Sequence, residues 1–206
     1  QTVGRGRRER QWVSPPGNLY ASLCLDISGL PDENLSVLSL AIGVAIHRCV
    51  SELIASDVRL KWPNDVLIDG AKCCGILLER QVEAATGAVG LIAGIGLNVD
   101  SNPADTPYPA TNLKAHGFVG TLASVFDRLA AAIAETIAGL RSQGFVTAIQ
   151  NEWLAYAKGV GEPVRVHLAN ETVEGVFERL DDHGRLQLRL GDGTVKTITA
   201  GDVFFS

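Results

Sequence analysis

Two successive hydrophobic periodicities near the start of the chain constrain its fold more than any other feature. From about Asn18 to Ser28, apolar and polar side chains alternate, which is typical of a strand with one buried face. After the turn-forming Pro31 and Asp32, apolar residues recur every three or four positions as far as Leu53, which indicates one long amphipathic helix. Because both elements must bury one face, the sequence predicts an α+β domain in which helices cover a sheet.

Short β-branched segments and two further amphipathic segments extend this domain. The remaining strands are predicted at Val58 to Lys61, Val66 to Ile68, Gly75 to Arg80 and about Ala88 to Val99. One helix is capped by Thr121 and has a core face from Leu122 to Leu140, and another runs from Phe145 to Tyr156. Residues 101–109 contain three prolines and predict a surface loop. We therefore expect a mixed sheet with helices packed on one face.

The pattern changes at Gly159, where short strands and tight turns replace helices. These strands are predicted at Val164 to Leu168, Val173 to Leu180, Leu186 to Leu190 and Val195 to Ile198. Turn sequences at residues 182–184 and 191–193 separate them. The sequence thus predicts a first domain over residues 1–158 and a small β-barrel over residues 159–206.

Composition excludes several classes of protein. The formal net charge of −5 argues against broad nucleic-acid binding, and no apolar segment approaches the roughly 20 residues of a membrane-spanning helix. The four cysteines, Cys24, Cys49, Cys73 and Cys74, match no CxxC pattern, so we expect buried free thiols and a cytoplasmic protein. The chain begins at Gln1 and contains no methionine, which suggests that preceding residues are missing.

A glycine- and arginine-rich segment, residues 1–12, is the one strongly basic region of the chain. It contains Arg5, Arg7, Arg8 and Arg10. Glycines let a backbone approach a ligand closely, and guanidinium groups bind carboxylate or phosphate in a bidentate manner, so an anion-binding loop is indicated. A solvated basic tail is the alternative. Trp12 could stack on a nucleobase, although a lone tryptophan is more often part of a core.

Three further segments carry groups that are suited to ligand binding. Residues 61–65, Lys-Trp-Pro-Asn-Asp, place a cation and a carboxylate at a strand end, where the alternative is a polar hairpin turn. Lys72 precedes an apolar strand and could meet an anionic substrate or extend to water. Gly94 and Gly96 in a strand indicate a bulge, a packed helix or a flat ligand ring against the backbone.

Taken together and in this order, the four segments resemble the biotin protein ligase family. They match its glycine-arginine loop, its KWPND motif, its lysine before GIL and its GxGxN strand. The resemblance covers essentially the whole chain, because Gly175 and residues 181–186 and 200–203 resemble the family's SH3-like C-terminal barrel. It implies a class II synthetase-like core and an ATP-dependent ligase. Such an enzyme forms biotinyl-5′-AMP from biotin and ATP and transfers biotin to a lysine of a biotin carboxyl carrier protein.

The resemblance also assigns roles to particular residues. It implies biotin-binding residues at Gln1, Gly4, Arg5, Gly6, Arg7, Lys72, Gly75, Leu77 and Gly94. Arg7 and Lys72 are the implied catalytic residues, with Arg7 retaining the adenylate and Lys72 lying between carboxylate and phosphate. The implied ATP-binding residues are Arg8, Arg10, Trp12, Lys61 and Asn98. Asp65 is implied as a ligand of the Mg²⁺ cofactor.

The chain departs from the family pattern at three places. It begins after a Ser-Thr-Asn type segment that, in the family, helps to hold the biotin ureido ring, so the resemblance implies that part of the biotin site precedes Gln1. Glu9 stands where many members have glycine or asparagine, and Ser206 stands where some have a basic residue near the nucleotide. We expect Glu9 to tune anion binding rather than abolish it.

Alternative functions remain open on the sequence alone. A lipoate protein ligase shares the fold and the adenylation chemistry, but would not be expected to combine this GRGRR loop with KWPND. A bifunctional ligase and DNA-binding repressor requires a winged helix upstream, which this chain does not contain. The barrel alone could bind nucleic acid or a peptide, although its acidic residues argue against nucleic acid. Family members occur as monomers and dimers, and we favour a homodimer.

Overall fold

The computed structural model describes residues 1, 4–7, 10–82 and 89–205, without the side chains of residues 32, 33 and 89. In chain order its elements are β1 (Gly4–Arg5), β2 (Gln11–Trp12), β3 (Leu19–Asp26), α1 (Asp32–Ser36), α2 (Leu38–Leu53), β4 (Val58–Lys61), β5 (Asp65–Ile68), β6 (Ala71–Val82), β7 (Val89–Leu97), α3 (Leu122–Ala138), α4 (Phe145–Tyr156), β8 (Pro163–His167), β9 (Thr172–Leu180), β10 (Leu186–Arg189), β11 (Val195–Ile198) and β12 (Asp202–Phe205). The predicted α+β class is confirmed.

A five-stranded sheet in the order β3-β7-β6-β5-β4 forms the centre of the first part of the chain. Every pair of neighbouring strands in it is antiparallel, and the described residues pair in parallel only at isolated bridges such as Leu60 to Ala157. We expected a mixed sheet, but all four of its ladders are antiparallel. The reason is visible at β5 and β6, which are joined by the two-residue turn Asp69-Gly70 with φ values of 48° and 82°. A two-residue hairpin turn of this kind can connect only antiparallel strands.

Helices cover one face of this sheet, as expected. Helix α2 packs on β4, β5 and β6 and is covered in turn by α3 and α4. The single long helix that we predicted is two helices, because Val37 leaves the helical conformation with φ −97° and ψ 3°. Thr121 caps α3 as predicted. Leu122, however, is 38% exposed, since the buried face of α3 begins one turn later at Val125.

The last five strands form a second antiparallel sheet in the order β11-β10-β9-β8-β12. Strand β12 was not predicted, and it pairs with β8. Strands β11 and β12 are the two edges, with no ladder between them in residues 159–205, so closure into an SH3-like barrel stays a prediction. The division at residues 158 and 159 also stays a prediction. The turn between β4 and β5 contacts the turn between β9 and β10, because the Trp62 indole donates to the Gly184 carbonyl over 3.0 Å.

Three of the four cysteines are buried: Cys49, Cys73 and Cys74. Cys24 is exposed, contrary to the expectation, because it alternates with Leu23 and Leu25 and points away from the core on the edge strand β3. Among the described residues, no helix combines the length and hydropathy needed to cross a bilayer.

Candidate active site

A cavity of about 530 Å³ lies on the face of the first sheet that is opposite α2. Strand alternation creates its floor. On β6 and β7, Cys74, Ile76, Ala93, Ile95 and Leu97 are buried in the core. Their neighbours Gly75, Leu77, Gly94 and Gly96 therefore face the other way, and all four line the cavity. Since three of these four are glycines, the floor lets another group approach the backbone closely.

The Trp12 indole is the ring that occupies part of this glycine floor. Gly75 and Gly96 lie opposite each other across β6 and β7. A Cβ added at Gly96 would lie 2.5 Å from the Trp12 ring, and one at Gly75 would lie 3.1 Å from it. The flat group against the glycine strand is thus a side chain of the chain itself. One face of the indole is covered by glycines, and its buried Nε1 has no hydrogen-bond partner among the described residues.

Lys72 and Asp65 form a buried ion pair at one side of the cavity. The Lys72 Nζ lies 2.6 Å from Asp65 Oδ1, and the two side chains are only 13% and 12% exposed. Burial disfavours the charged amine and is the largest single effect, but the Asp65 carboxylate, together with Tyr108 and Cys74, outweighs it and raises the pKa of Lys72. Lys72 therefore carries its positive charge inside the cavity at neutral pH. Its Nζ also lies 5.6 Å from the Trp12 ring centre and 5.2 Å from that of Tyr108.

Lys61 is a second buried lysine, and its Nζ lies close to aromatic rings. Its Nζ lies 5.3 Å from the centre of the Tyr108 ring, 5.4 Å from that of Phe204 and 5.9 Å from that of Phe205. Burial lowers the pKa of Lys61, and the more distant carboxylate of Asp65 offsets this only in part. An anion that enters the cavity would favour the charged form of Lys61.

The glycine-arginine loop closes a third side of the cavity and connects it to the C-terminal sheet. Arg7 donates to the Asn64 side chain over 3.2 Å and to the Gly201 carbonyl over 3.4 Å. Arg10 forms an ion pair with Asp202. Arg5 lies at the exposed rim, 3.5 Å from Glu79. The guanidinium groups of Arg7 and Arg10 are therefore held at the cavity by Asn64 in the first part of the chain and by residues 201 and 202 near its end.

Most of the predicted site residues meet in this one cavity. Those that line it are Gln1, Arg5, Gly6, Arg7, Arg10, Trp12, Lys61, Asp65, Lys72, Gly75, Leu77, Gly94 and Asn98. Gly4 does not line it. That residue pairs with Trp12, and a Cβ there would lie 2.4 Å from the Trp12 carbonyl, so its absence of a side chain allows β1 and β2 to approach. Arg8, Glu9 and Ser206 lie outside the described residues.

Two of these residues are held by neighbours in a way that the sequence did not suggest. The Asn98 side chain is buried and donates to the Thr111 carbonyl over 3.0 Å. Asp65 is engaged with Lys72 rather than free. The described residues contain no group of three or more histidine, cysteine, aspartate and glutamate side chains that could hold a metal ion.

Several cavity residues were not predicted. Asn64 connects Arg7 to the carbonyl of Ile76, to which it donates over 2.6 Å. Tyr108 comes from the proline-rich loop, and Asp202 and Phe204 come from the unpredicted strand β12. Asn64 belongs to a segment that the sequence already singled out, so its polar side chain was a usable signal. Nothing local in the sequence indicates that Tyr108 or Phe204 would reach the cavity.

The arrangement is suited to binding two anionic groups beside an apolar ligand body. The floor of Gly75, Leu77 and Gly94 offers apolar contact and close approach to backbone, while Lys61 and Lys72 lie together at the side. Fixed cations in a cavity shielded from water lower the energy of anions and of charge that develops during phosphoryl transfer.

Comparison with known proteins identifies relatives of both parts of the chain. Residues 1–98 match the Biotin/lipoate A/B protein ligase family, and residues 159–206 match the Biotin protein ligase C terminal domain. The chain is 37% identical to a biotin--[acetyl-CoA-carboxylase] ligase of Paracoccus denitrificans, with 100% of this chain and 87% of that protein covered. It is 35% identical to the bifunctional ligase/repressor BirA of Bacillus subtilis, where 98% of this chain covers 63% of that protein.

A solved structure is similar over the same extent. The biotin protein ligase of Aquifex aeolicus in complex with biotin and ATP has a TM-score of 0.83 and 28% sequence identity. The match covers 99% of this chain and 84% of that one. The shared fold therefore includes both sheets described above.

Proposed function

Because the chain belongs to the biotin protein ligase family, we propose that it forms biotinyl-5′-AMP from biotin and ATP and transfers biotin to a lysine of a biotin carboxyl carrier protein. In the first step a biotin carboxylate oxygen attacks the α-phosphorus of ATP, and pyrophosphate leaves. In the second step the carrier lysine amine attacks the acyl carbon, and AMP leaves. The observation that carries this proposal is Lys72, a buried lysine that stays charged beside an apolar, glycine-lined floor.

The Lys72 ammonium is the group best placed to act in the first step. Two anions must approach each other there, so their repulsion is the main obstacle. A cation between the carboxylate and the α-phosphate lowers that repulsion and stabilises the charge that develops during transfer. Asp65 keeps the amine protonated, which makes Asp65 a positioning residue in this proposal. Arg7, held by Asn64 and Gly201, is proposed to retain the adenylate.

The nucleotide is proposed to lie on the side of the cavity that carries Lys61 and Arg10. Lys61 has aromatic neighbours and would gain its counter-charge from the triphosphate. The outward face of Trp12 is proposed to stack on adenine, since its other face covers the glycines. Mg²⁺ would enter on the phosphates and neutralise part of their charge. Asp65 could bind Mg²⁺ only by turning away from Lys72. The role that we assign to Asp65 is therefore its ion pair with Lys72.

The activity can be tested by pyrophosphate release from ATP in the presence of biotin. We expect release by the wild-type protein and its loss in Lys72→Ala, with Lys196→Ala as a matched control because Lys196 pairs with Glu171 far along the C-terminal sheet. Arg7→Ala should release pyrophosphate but let biotinyl-5′-AMP escape into solution, which chromatography detects. Biotin-independent release, or full activity of Lys72→Ala, would contradict the proposal.

Two alternative functions, lipoate ligation and repression of transcription, differ from this proposal. Residues 1–98 match a family that includes lipoate ligases, but the match of residues 159–206 favours biotin, so lipoate should not replace biotin in the assay. The bifunctional relative of Bacillus subtilis is longer than this chain, and repression of transcription remains a property of that protein. A homodimer and a cytoplasmic location stay predictions.

A further inference from the structure

Tyr108 is held in the wall of the cavity by a loop that is fixed at both ends. At one end, the Asn18 side chain accepts hydrogen bonds from the backbone amides of Val99 and Asp100, each over 2.9 Å. At the other end, the Lys72 amide donates to the Pro109 carbonyl over 2.8 Å, and the Lys72 carbonyl accepts from the amide of Thr111 over 2.9 Å. The residue next to Tyr108 is thus attached to the backbone of Lys72 itself.

The Tyr108 ring lies beside both buried lysines. Its centre is 5.3 Å from the Lys61 Nζ and 5.2 Å from the Lys72 Nζ. The two ammonium groups repel each other, and this repulsion adds to the burial that lowers the pKa of Lys61. The negative face of an aromatic ring attracts a cation, most strongly where water is excluded. One ring therefore contacts the two charges that a polyphosphate would have to meet.

We propose that Tyr108 is a positioning residue for the polyphosphate of ATP, whose ring holds the ammonium groups of Lys61 and Lys72 in place for the nucleotide. This inference rests on the proposed function and extends it to a residue of the proline-rich loop. The aromatic face is the active feature, because both lysine contacts are made to the ring. Phenylalanine should therefore substitute for Tyr108, whereas leucine, which is apolar but has no aromatic face, should not.

A pH profile can distinguish this role from ordinary packing. The charged and titratable groups around Lys61 are Asp65, Lys72, Asp202 and Arg10. Burial and the neighbouring Lys72 ammonium lower the pKa of Lys61, so Lys61 loses its charge at a lower pH than an exposed lysine does. Without an aromatic face, Lys61 should lose its proton at a lower pH. Comparing the leucine and methionine variants with phenylalanine removes the tyrosine hydroxyl from all of them, so that the effect of the aromatic ring can be measured without that of the hydroxyl.

The test uses the full-length protein with Tyr108→Phe and Tyr108→Leu, and with Tyr108→Met as a second non-aromatic variant. Calorimetric titration with inorganic pyrophosphate and with biotin is followed by the KM for ATP and its pH profile. We expect the leucine and methionine variants to bind pyrophosphate about tenfold more weakly and to raise the KM for ATP about tenfold, with biotin affinity unchanged. The alkaline limb should move to lower pH in these variants only, and phenylalanine should stay within about twofold of wild type.

Three results would overturn the inference. The first is a leucine variant that binds pyrophosphate as well as wild type. The second is equal impairment of the phenylalanine and leucine variants, which would assign the effect to the hydroxyl. The third is a loss of biotin affinity as large as the loss for pyrophosphate, which would indicate general disruption of the cavity. Wild-type protein that releases no pyrophosphate from biotin and ATP would contradict the proposed function instead, while the pyrophosphate titration still decides the role of Tyr108.

Discussion

Replacing Asp65 by asparagine should destabilise the protein in a way that depends strongly on pH. The change leaves the Lys72 ammonium, which is 13% exposed, without its partner 2.6 Å away. Removing one partner of a buried ion pair costs about 3–5 kcal/mol. Lys72 can limit the loss by releasing its proton, so we expect about 3 kcal/mol at pH 7. For a chain of this size that corresponds to a fall in Tm of roughly 6–12 °C.

The sign of the pH dependence follows from the two pKa values of Lys72. In the wild type, Asp65 raises this pKa, so the stabilisation is complete below the ordinary lysine value of about 10.4 and is lost as the pH rises through the raised pKa. In Asp65→Asn the effect of the carboxylate is lost, so we expect burial, which is the largest single effect on this group, to lower the pKa of Lys72. The resulting penalty is largest at neutral pH and disappears as the pH approaches about 10.4. The difference between the two proteins should therefore narrow above about pH 10.

Urea unfolding followed by circular dichroism at pH 7, 9 and 10.5 measures this difference. Asp182→Asn is a suitable control, because it makes the same chemical change at an exposed position. Asp65→Leu combined with Lys72→Met should regain most of the stability lost in Asp65→Asn, since it removes both charges together. A loss below about 0.5 kcal/mol at pH 7, or a loss that stays constant with pH, would refute the account of the buried pair.

Three further predictions test other parts of the structure. Gly96→Ala should push the Trp12 ring from the floor and weaken ATP binding by at least about tenfold, because the added Cβ would lie 2.5 Å from the ring that is proposed to stack on adenine; calorimetry would measure this, and unchanged affinity would contradict the packing. Trp62→Phe should cost about 1–3 kcal/mol in urea unfolding, since the Gly184 carbonyl loses its buried donor, and a loss within experimental error would argue against this contact. Thr121→Ala should cost about 1 kcal/mol through the lost helix cap while leaving pyrophosphate release unchanged; an equal loss of activity would connect α3 to the site.

Local periodicity accounts for the parts of the fold that the sequence predicted well. The strand around Leu23 and the helix that begins after Thr121 were placed correctly, because each shows its period within the element and has a clear turn or cap beside it. The break at Val37 was missed, since apolar spacing continues through it and only tertiary packing distinguishes two helices from one. Strand β12 was missed because Asp202–Phe205 shows no alternation on its own and forms only by pairing with β8.

Some features of the candidate site could likewise be predicted from the sequence, and others could not. Lys72 and Gly94 could be selected from the sequence because their residue types are unusual in apolar strands. The ion pair between Lys72 and Asp65 could not be predicted from spacing alone, since a hairpin with an irregular register brings the two side chains together. Tyr108 contacts two lysines that precede it by 36 and 47 positions in the numbering, and such contacts depend on how the loop is fixed to β6.

The contact between Arg10 and Asp202 has a consequence for the order in which the protein can assemble during synthesis. The two residues are 192 positions apart, so at about 5–20 residues per second the arginine loop waits on the order of 10–40 seconds for its partner to be made. During that interval the nascent chain exposes a basic segment and an unfinished cavity. The emerging first sheet can form its ladders, but a nucleotide would find only some of the walls of its pocket. Ligand binding should therefore begin only after translation has passed β12, and a ribosome-bound chain arrested at about residue 195 should not retain labelled ATP.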